Sequence, residues 1–155
     1  MTTETIHPAV RVGHVHLRVA DLDRSLAFYR DALGFGLTVD ARGAGIPMTL
    51  LAAGDYHHHI GLNTFADPGL YDVAFVYPDR HELGRAAERL RDRGYAISHA
   101  TDHGATVSVY LDDPDGNGIE LYCDRPCETW FDDAGRPILR NDRIPVESLR
   151  EEHVG

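Results

Sequence analysis

Hydrophobic and polar positions change period several times along the chain, and each change marks an element. From Gly13 to Val19 they alternate, so that Val15, Leu17 and Val19 share one face of a strand and His14, His16 and Arg18 the other. After Asp21, a good helix N-cap, the period lengthens. Leu22, Leu26, Tyr29 and Leu33 make a helical stripe that Gly34 closes. Three strands are expected next, over 35–40, 47–52 and 57–63, punctuated by Gly43, Gly45 and Gly54. A linker over 66–69 follows, and the pattern recurs. Residues 71–77 alternate, with Val73, Phe75 and Tyr77 on one face and Asp72, Ala74 and Val76 on the other. Asp79 with Glu82 three residues on reads as a capping box. Leu83, Ala86, Ala87 and Leu90 form the second stripe, Gly94 ends it, and strands are expected over 95–99, 106–111 and 119–123.

The order is therefore β-α-β-β-β twice. An internal repeat of this length implies two copies of one supersecondary unit packed together. The expected organisation is a leader over 1–10, module one over 11–65, module two over 70–124 and a polar tail over 125–155. The expected fold class is α+β: paired βαβββ modules forming a cupped mixed sheet with the helices outside. The tail, with Trp130-Phe131, a turn at 132–135 and a short helical end after Pro145, reads as a strap over the fold or a subunit contact.

Composition narrows the partners. The formal charge of −10 argues against nucleic acid or anionic lipid, and no apolar run is long enough to span a membrane. The N-terminus has neither the basic nor the apolar region of a secretory signal. The cysteines are only Cys123 and Cys127, too few for a zinc ribbon or a disulfide scaffold, so inert thiols in a reducing cytoplasm are expected. The unusual count is ten histidines. Histidine is the commonest metal ligand and titrates near neutral pH.

Parity places the chemistry. If each helix covers the apolar face of its own sheet, then His14, His16, Asp72, Glu120 and Tyr122 line the opposite faces. Glu120 follows the tight turn Asp113-Pro-Asp-Gly-Asn-Gly and alternates with Ile119 and Leu121, so it points away from the core on a rigid strand. Read as a strand from residue 57, His57 and His59 point inward and His58 outward. Two imidazoles with one or two carboxylates suit a divalent first-row metal: Fe, Mn, Ni or Zn.

The sequence resembles the vicinal oxygen chelate superfamily of glyoxalases, extradiol dioxygenases and bleomycin or fosfomycin resistance proteins. The resemblance spans roughly residues 10–125. It rests on Gly13-His-Val-His-Leu-Arg-Val-Ala-Asp-Leu22, on Ser25-Leu-Ala-Phe-Tyr29 with Leu33-Gly-Phe35, and on Asp113-Pro-Asp-Gly-Asn-Gly-Ile-Glu-Leu-Tyr122. Tyr56-His-His-His-Ile-Gly-Leu-Asn63 and Thr101-Asp-His-Gly104 look most like its catechol 2,3-dioxygenase-like branch.

That branch takes a metal-binding His from the first strand of each copy and a Glu from the last strand. The resemblance maps the first His onto His14, the Glu onto Glu120 and the second His onto Asp72, where this chain departs from the pattern. It also maps a substrate-contacting Tyr onto Tyr110 and a pocket His onto His103. A gapless count back from Asp72 puts the acid/base His on His58. Strand parity, and the glyoxalase-like pattern of a fourth ligand on this strand, favour His59. The implied ligand set is His14, His59, Asp72 and Glu120, with His58 and Tyr110 catalytic and Fe(II) the first choice of metal. His7, His81, His99 and His153 read as structural or solvent-facing.

The resemblance implies a homodimer and a metal-dependent, dioxygenase-like reaction on a small vicinal diol such as a catechol. The alternatives are a glyoxalase-like isomerase or lyase, and a metal-free drug- or metabolite-binding protein.

Overall fold

The computed structural model describes residues 5–150; residues 1–4 and 151–155, and with them His153, lie outside the described residues. The described strands are Arg11–Arg18 (β1), Gly36–Asp40 (β2), Met48–Ala52 (β3), Ile60–Asn63 (β4), Gly69–Tyr77 (β5), His99–Asp102 (β6), Thr106–Asp112 (β7), Gly118–Asp124 (β8) and Asp142–Ile144 (β9). Two α-helices, Leu22–Leu26 (α1) and Arg80–Asp92 (α2), follow β1 and β5. The strands form a mixed sheet in the order β2-β3-β4-β1-β5-β8-β7-β6-β9, with β1 and β4 parallel. The twofold β-α-β-β-β order and the α+β class read from the periodicity are both present.

By residue contacts Gly13–Ala74 form one compact unit, and the described residues on either side form the other. Each has its own core, and each core is the apolar face that alternation marks. In the first, Val15 and Leu17 of β1 stand beside Ile60 and Leu62 of β4, and Leu22, Leu26 and Leu51 complete the cluster. In the second, Val107 and Val109 of β7 pair with Cys123 and Leu121 of β8 under Leu83, Ala86 and Ala87 of α2. The side chain of Asp79 accepts the Glu82 amide at 2.8 Å, which is the expected cap. Gly94 then turns the chain with φ of 81°.

The first helix departs from expectation. Asp21 caps it, accepting the Arg24 amide at 2.7 Å. After Leu26 the chain widens into a π-helix over Ala27–Ala32, and the Leu33 amide reaches back five residues to the Phe28 carbonyl. A wider turn holds more residues, so a position seven beyond Leu26 no longer falls beneath it. Leu33, expected in the stripe, is 55% exposed, while Tyr29 and Phe35 pack on the core.

Two strand boundaries also move, and one strand is added. The third strand of module one begins at Ile60, so His57, His58 and His59 sit in the turn that leads into it. The inward–outward parity read for these three histidines therefore does not apply, because alternation holds only along extended, laddered backbone. The strand expected over 95–99 instead begins at His99. The tail supplies a ninth strand that the sequence reading lacks: Ile144 pairs with Ala100 on the β6 edge. Leu149 beyond it is buried in the core under α2. A Cβ on Gly84 of α2 would lie 2.7 Å from Arg150 Cγ, so the last described turn seats on a bare spot of that helix. The tail is a strap over its own unit, one of the two roles expected of it.

Candidate metal centre

In the second unit the register of β7 and β8 sets Tyr110 opposite Glu120 and Ser108 opposite Tyr122. These four side chains share the face away from α2. The strand β6 extends this polar face, with His99 opposite Tyr110 and Thr101 opposite Ser108. Glu120 is 5% exposed, and Ser108 donates its hydroxyl proton to Glu120 Oε1 at 2.7 Å. A carboxylate that accepts a short hydrogen bond inside a sheet is held in one rotamer, which is what a ligand needs. Ser108 is absent from the sequence reading, although it lies two residues before Tyr110 on the same strand and so shares its face.

On the same face, Tyr110 and His103 are joined by a 2.7 Å bond between the phenol oxygen and Nε2. His99, read from the sequence as structural or solvent-facing, stacks on the ring of Tyr110, ring centroids 4.7 Å apart at 26°. Burial holds its imidazole below the ordinary value, with Arg143 and His103 acting the same way.

In the first unit His14 of β1 and Asp72 of β5 are 4% and 5% exposed. The His58 ring lies 4.2 Å from the His14 ring, centroid to centroid, and His57 is 6.4 Å from it. His57 and His58 share a proton between their Nδ1 atoms at 2.7 Å. His59 turns differently: its Nδ1 accepts the Ala53 amide at 3.1 Å across the turn. Burial pushes its imidazole below the ordinary value, and His57 and His14 add to this. So His58, the residue of the gapless count, stands against His14. His16 lies half-buried over Gly61, its neighbour on β4, and a Cβ there would fall 2.8 Å from the His16 ring. Glycine at 61 is what makes room for that imidazole.

His14 and Asp72 bring a buried imidazole and a buried carboxylate to the first unit, and Glu120 brings a buried carboxylate to the second. These donor types suit a divalent cation: a nitrogen and carboxylate oxygens are a hard-to-borderline set. His59, expected as a fourth ligand, has its Nδ1 bonded to the Ala53 amide. The thiol of Cys123 is buried and pushed up to about 12, chiefly by desolvation, so it is inert as expected.

A family model described as the Glyoxalase/Bleomycin resistance protein/Dioxygenase superfamily matches residues 11–121. The chain is 37% identical over 159 residues to the catechol-2,3-dioxygenase of Bacillus subtilis (strain 168), matching 96% of this chain and 54% of that one. It is 27% identical over 125 residues to the lactoylglutathione lyase of Salmonella typhimurium (strain LT2), matching 72% of this chain and 91% of that one. Among solved structures, the 2,3-dioxygenase LapB from Pseudomonas sp. KL28 superimposes with a TM-score of 0.66 and 26% identity, over 76% of this chain and 41% of that one. The chain thus spans about half the length of the dioxygenases it matches. With the twofold repeat and the mixed sheet, these matches show that the chain belongs to the glyoxalase, bleomycin resistance protein and dioxygenase superfamily.

Proposed function

We propose that the chain is a metal-dependent enzyme acting on a small substrate with two vicinal oxygens, of catechol type, in a dioxygenase-like reaction. The observation that supports this reading is a set of buried donors, His14 and Asp72 in one unit and Glu120 in the other, in a chain 37% identical to a catechol-2,3-dioxygenase. His14, Asp72 and Glu120 would hold the divalent cation, Fe(II) before Mn, Ni or Zn. When bound, such a cation supplies Lewis acidity and a template for two oxygens and, as Fe(II), redox capacity. Ser108 keeps the Glu120 carboxylate in its rotamer. His58, against His14 and bonded to His57, would take a proton from a substrate hydroxyl. Tyr110, the cross-strand neighbour of Glu120, supplies a phenol to the substrate, and His103 backs it. Asp72 stands where the resembling branch has histidine, and its second carboxylate makes the set more negative than an iron site with two histidines.

The test is oxygen uptake by Fe(II)-loaded protein across a panel of catechols, with metal content measured on the same sample. Uptake with at least one catechol, lost in Glu120→Ala, is the expected result. Stoichiometric metal with no uptake on any catechol would overturn the dioxygenase reading.

A second reading is a glyoxalase-like isomerase or lyase. It is supported by the 27% identity to a lactoylglutathione lyase and by candidate donors that include two carboxylates, Asp72 and Glu120. Turnover by Ni- or Zn-loaded protein under anaerobic conditions would select it. Either enzyme is proposed to be a homodimer. Supporting this, the Gly13–Ala74 unit exposes Phe28, Leu33, Phe65, Leu70 and Tyr71. Light scattering at the monomer mass would remove that element. Two free thiols, Cys123 and Cys127, fit a reducing compartment.

A further inference from the structure

The tail crosses directly behind the His103–Tyr110 pair. The His103 Nδ1 lies 3.1 Å from the Arg140 carbonyl oxygen, and the Arg140 amide returns a bond to the His103 carbonyl at 3.2 Å. Next to it, Gly104 has φ of 87° and no room for a side chain, because a Cβ would meet Ile138 Cγ2 at 2.7 Å. The same turn is held from its other side. Asp102 accepts the Gly104 amide at 2.8 Å and pairs with Arg125, and Thr129 donates to the Gly104 carbonyl at 3.3 Å. His103 is thus clamped by segments on both sides of the turn, and one clamp touches its ring.

A carbonyl oxygen has no hydrogen and can only accept, so the bond to Arg140 requires a proton on His103 Nδ1. In the neutral ring, Nε2 is then a lone pair, and its 2.7 Å partner, the Tyr110 hydroxyl, must donate to it. We infer that the backbone of the tail at Arg140 is a positioning element that fixes the tautomer of His103 and, through it, the direction in which Tyr110 points its proton. A phenol has one hydrogen. With that hydrogen given to His103, Tyr110 acts toward a bound ligand as an acceptor. It therefore favours a ligand that presents a hydroxyl donor at this position over one that presents only a carbonyl or ether oxygen. This preference deepens the substrate class proposed above and rests on that reading; the tautomer itself does not.

The experiment reads the tautomer directly. Imidazole nitrogen shifts are recorded on ¹⁵N-histidine-labelled full-length protein at neutral pH, once loaded with diamagnetic zinc and once after chelation. The His103 signals are assigned by their loss in His103→Gln. The expected spectrum has the His103 proton on Nδ1 and a bare Nε2 in both samples. Tyr110→Phe, which removes the other partner, is expected to keep the proton on Nδ1. A proton on Nε2 in the wild-type protein, or protons on both nitrogens, would overturn the inference. So would a move of the proton to Nε2 in Tyr110→Phe, which would make Tyr110 and not the tail the element that sets the tautomer. A failed catechol assay with the expected tautomer present would count against the proposed reaction and leave this inference standing.

Discussion

The segments after β1 and after β5 occupy the same place in the repeat, yet they solve the same packing problem differently. After β5, α2 runs regularly for 13 residues and lays Leu83, Ala86 and Ala87 on its own core. After β1, α1 lasts five residues and then widens, so that its stripe breaks after Leu26. The difference shows what periodicity reports. It counts residues per turn, and where the turn changes width the count assigns the next position to the wrong side.

The largest test of this contrast is a pair of identical substitutions. Leu83→Ala opens a cavity beneath a regular helix around a side chain that is fully buried, and should cost about 2–5 kcal/mol. Leu33→Ala, at the place where the first stripe should continue, should change stability by no more than about 0.5 kcal/mol. Urea unfolding of both variants measures it. A Leu33 effect as large as that of Leu83 would mean that the widened turn is not the conformation in solution.

The same contrast recurs at the chemistry. Glu120 sits on a strand with an unbroken ladder to β7, and the histidine cluster sits in the turn before β4. Glu120→Ala should lower affinity for a divalent metal by about a hundredfold or more, roughly 2.8 kcal/mol. Ser108→Ala, which removes only the hydroxyl bonded to Glu120, should lower it by about tenfold, the usual scale for a residue that orients a ligand. Competition with a chelating dye reads both. Equal effects of the two would show that Ser108 does more than hold the carboxylate. No effect of either would remove Glu120 from the ligand set.

What the sequence made legible follows the same line. His14, Asp72 and Glu120 all lie on strands, where side chains alternate strictly, and alternation alone sends them away from the apolar faces. Tyr110 and Ser108 obey the same rule. His57 to His59 do not, because a turn residue's direction depends on φ and ψ at each position and not on a period. The contact of the tail with His103 was illegible for another reason: it runs through the backbone carbonyl of Arg140, and no side chain announces it. Swapping the turn histidines tests the point. His58→Ala should alter substrate proton transfer, moving kcat more than KM, whereas His59→Ala should leave kcat within about twofold, since His59 Nδ1 is occupied with the Ala53 amide.

The smallest expected effect compares one histidine from each unit. His59 and His99 are both held below the ordinary imidazole value of 6.5, first by burial and then by neighbours: His57 and His14 for the one, Arg143 and His103 for the other. In the unfolded chain each titrates near that ordinary value, so just below it the unfolded state binds more protons than the folded state. Stability is then complete above about pH 6.5 and declines as the pH falls toward the lower folded values. The expected result is a lower urea midpoint at pH 5.5 than at pH 7.5. His59→Gln and His99→Gln should each flatten the decline in part, with additive effects because the two histidines belong to separate units. A midpoint that rose on acidification would show that the imidazoles gain protons more readily in the folded chain, which would require an acidic partner at one of these two rings in place of the apolar burial that holds them neutral.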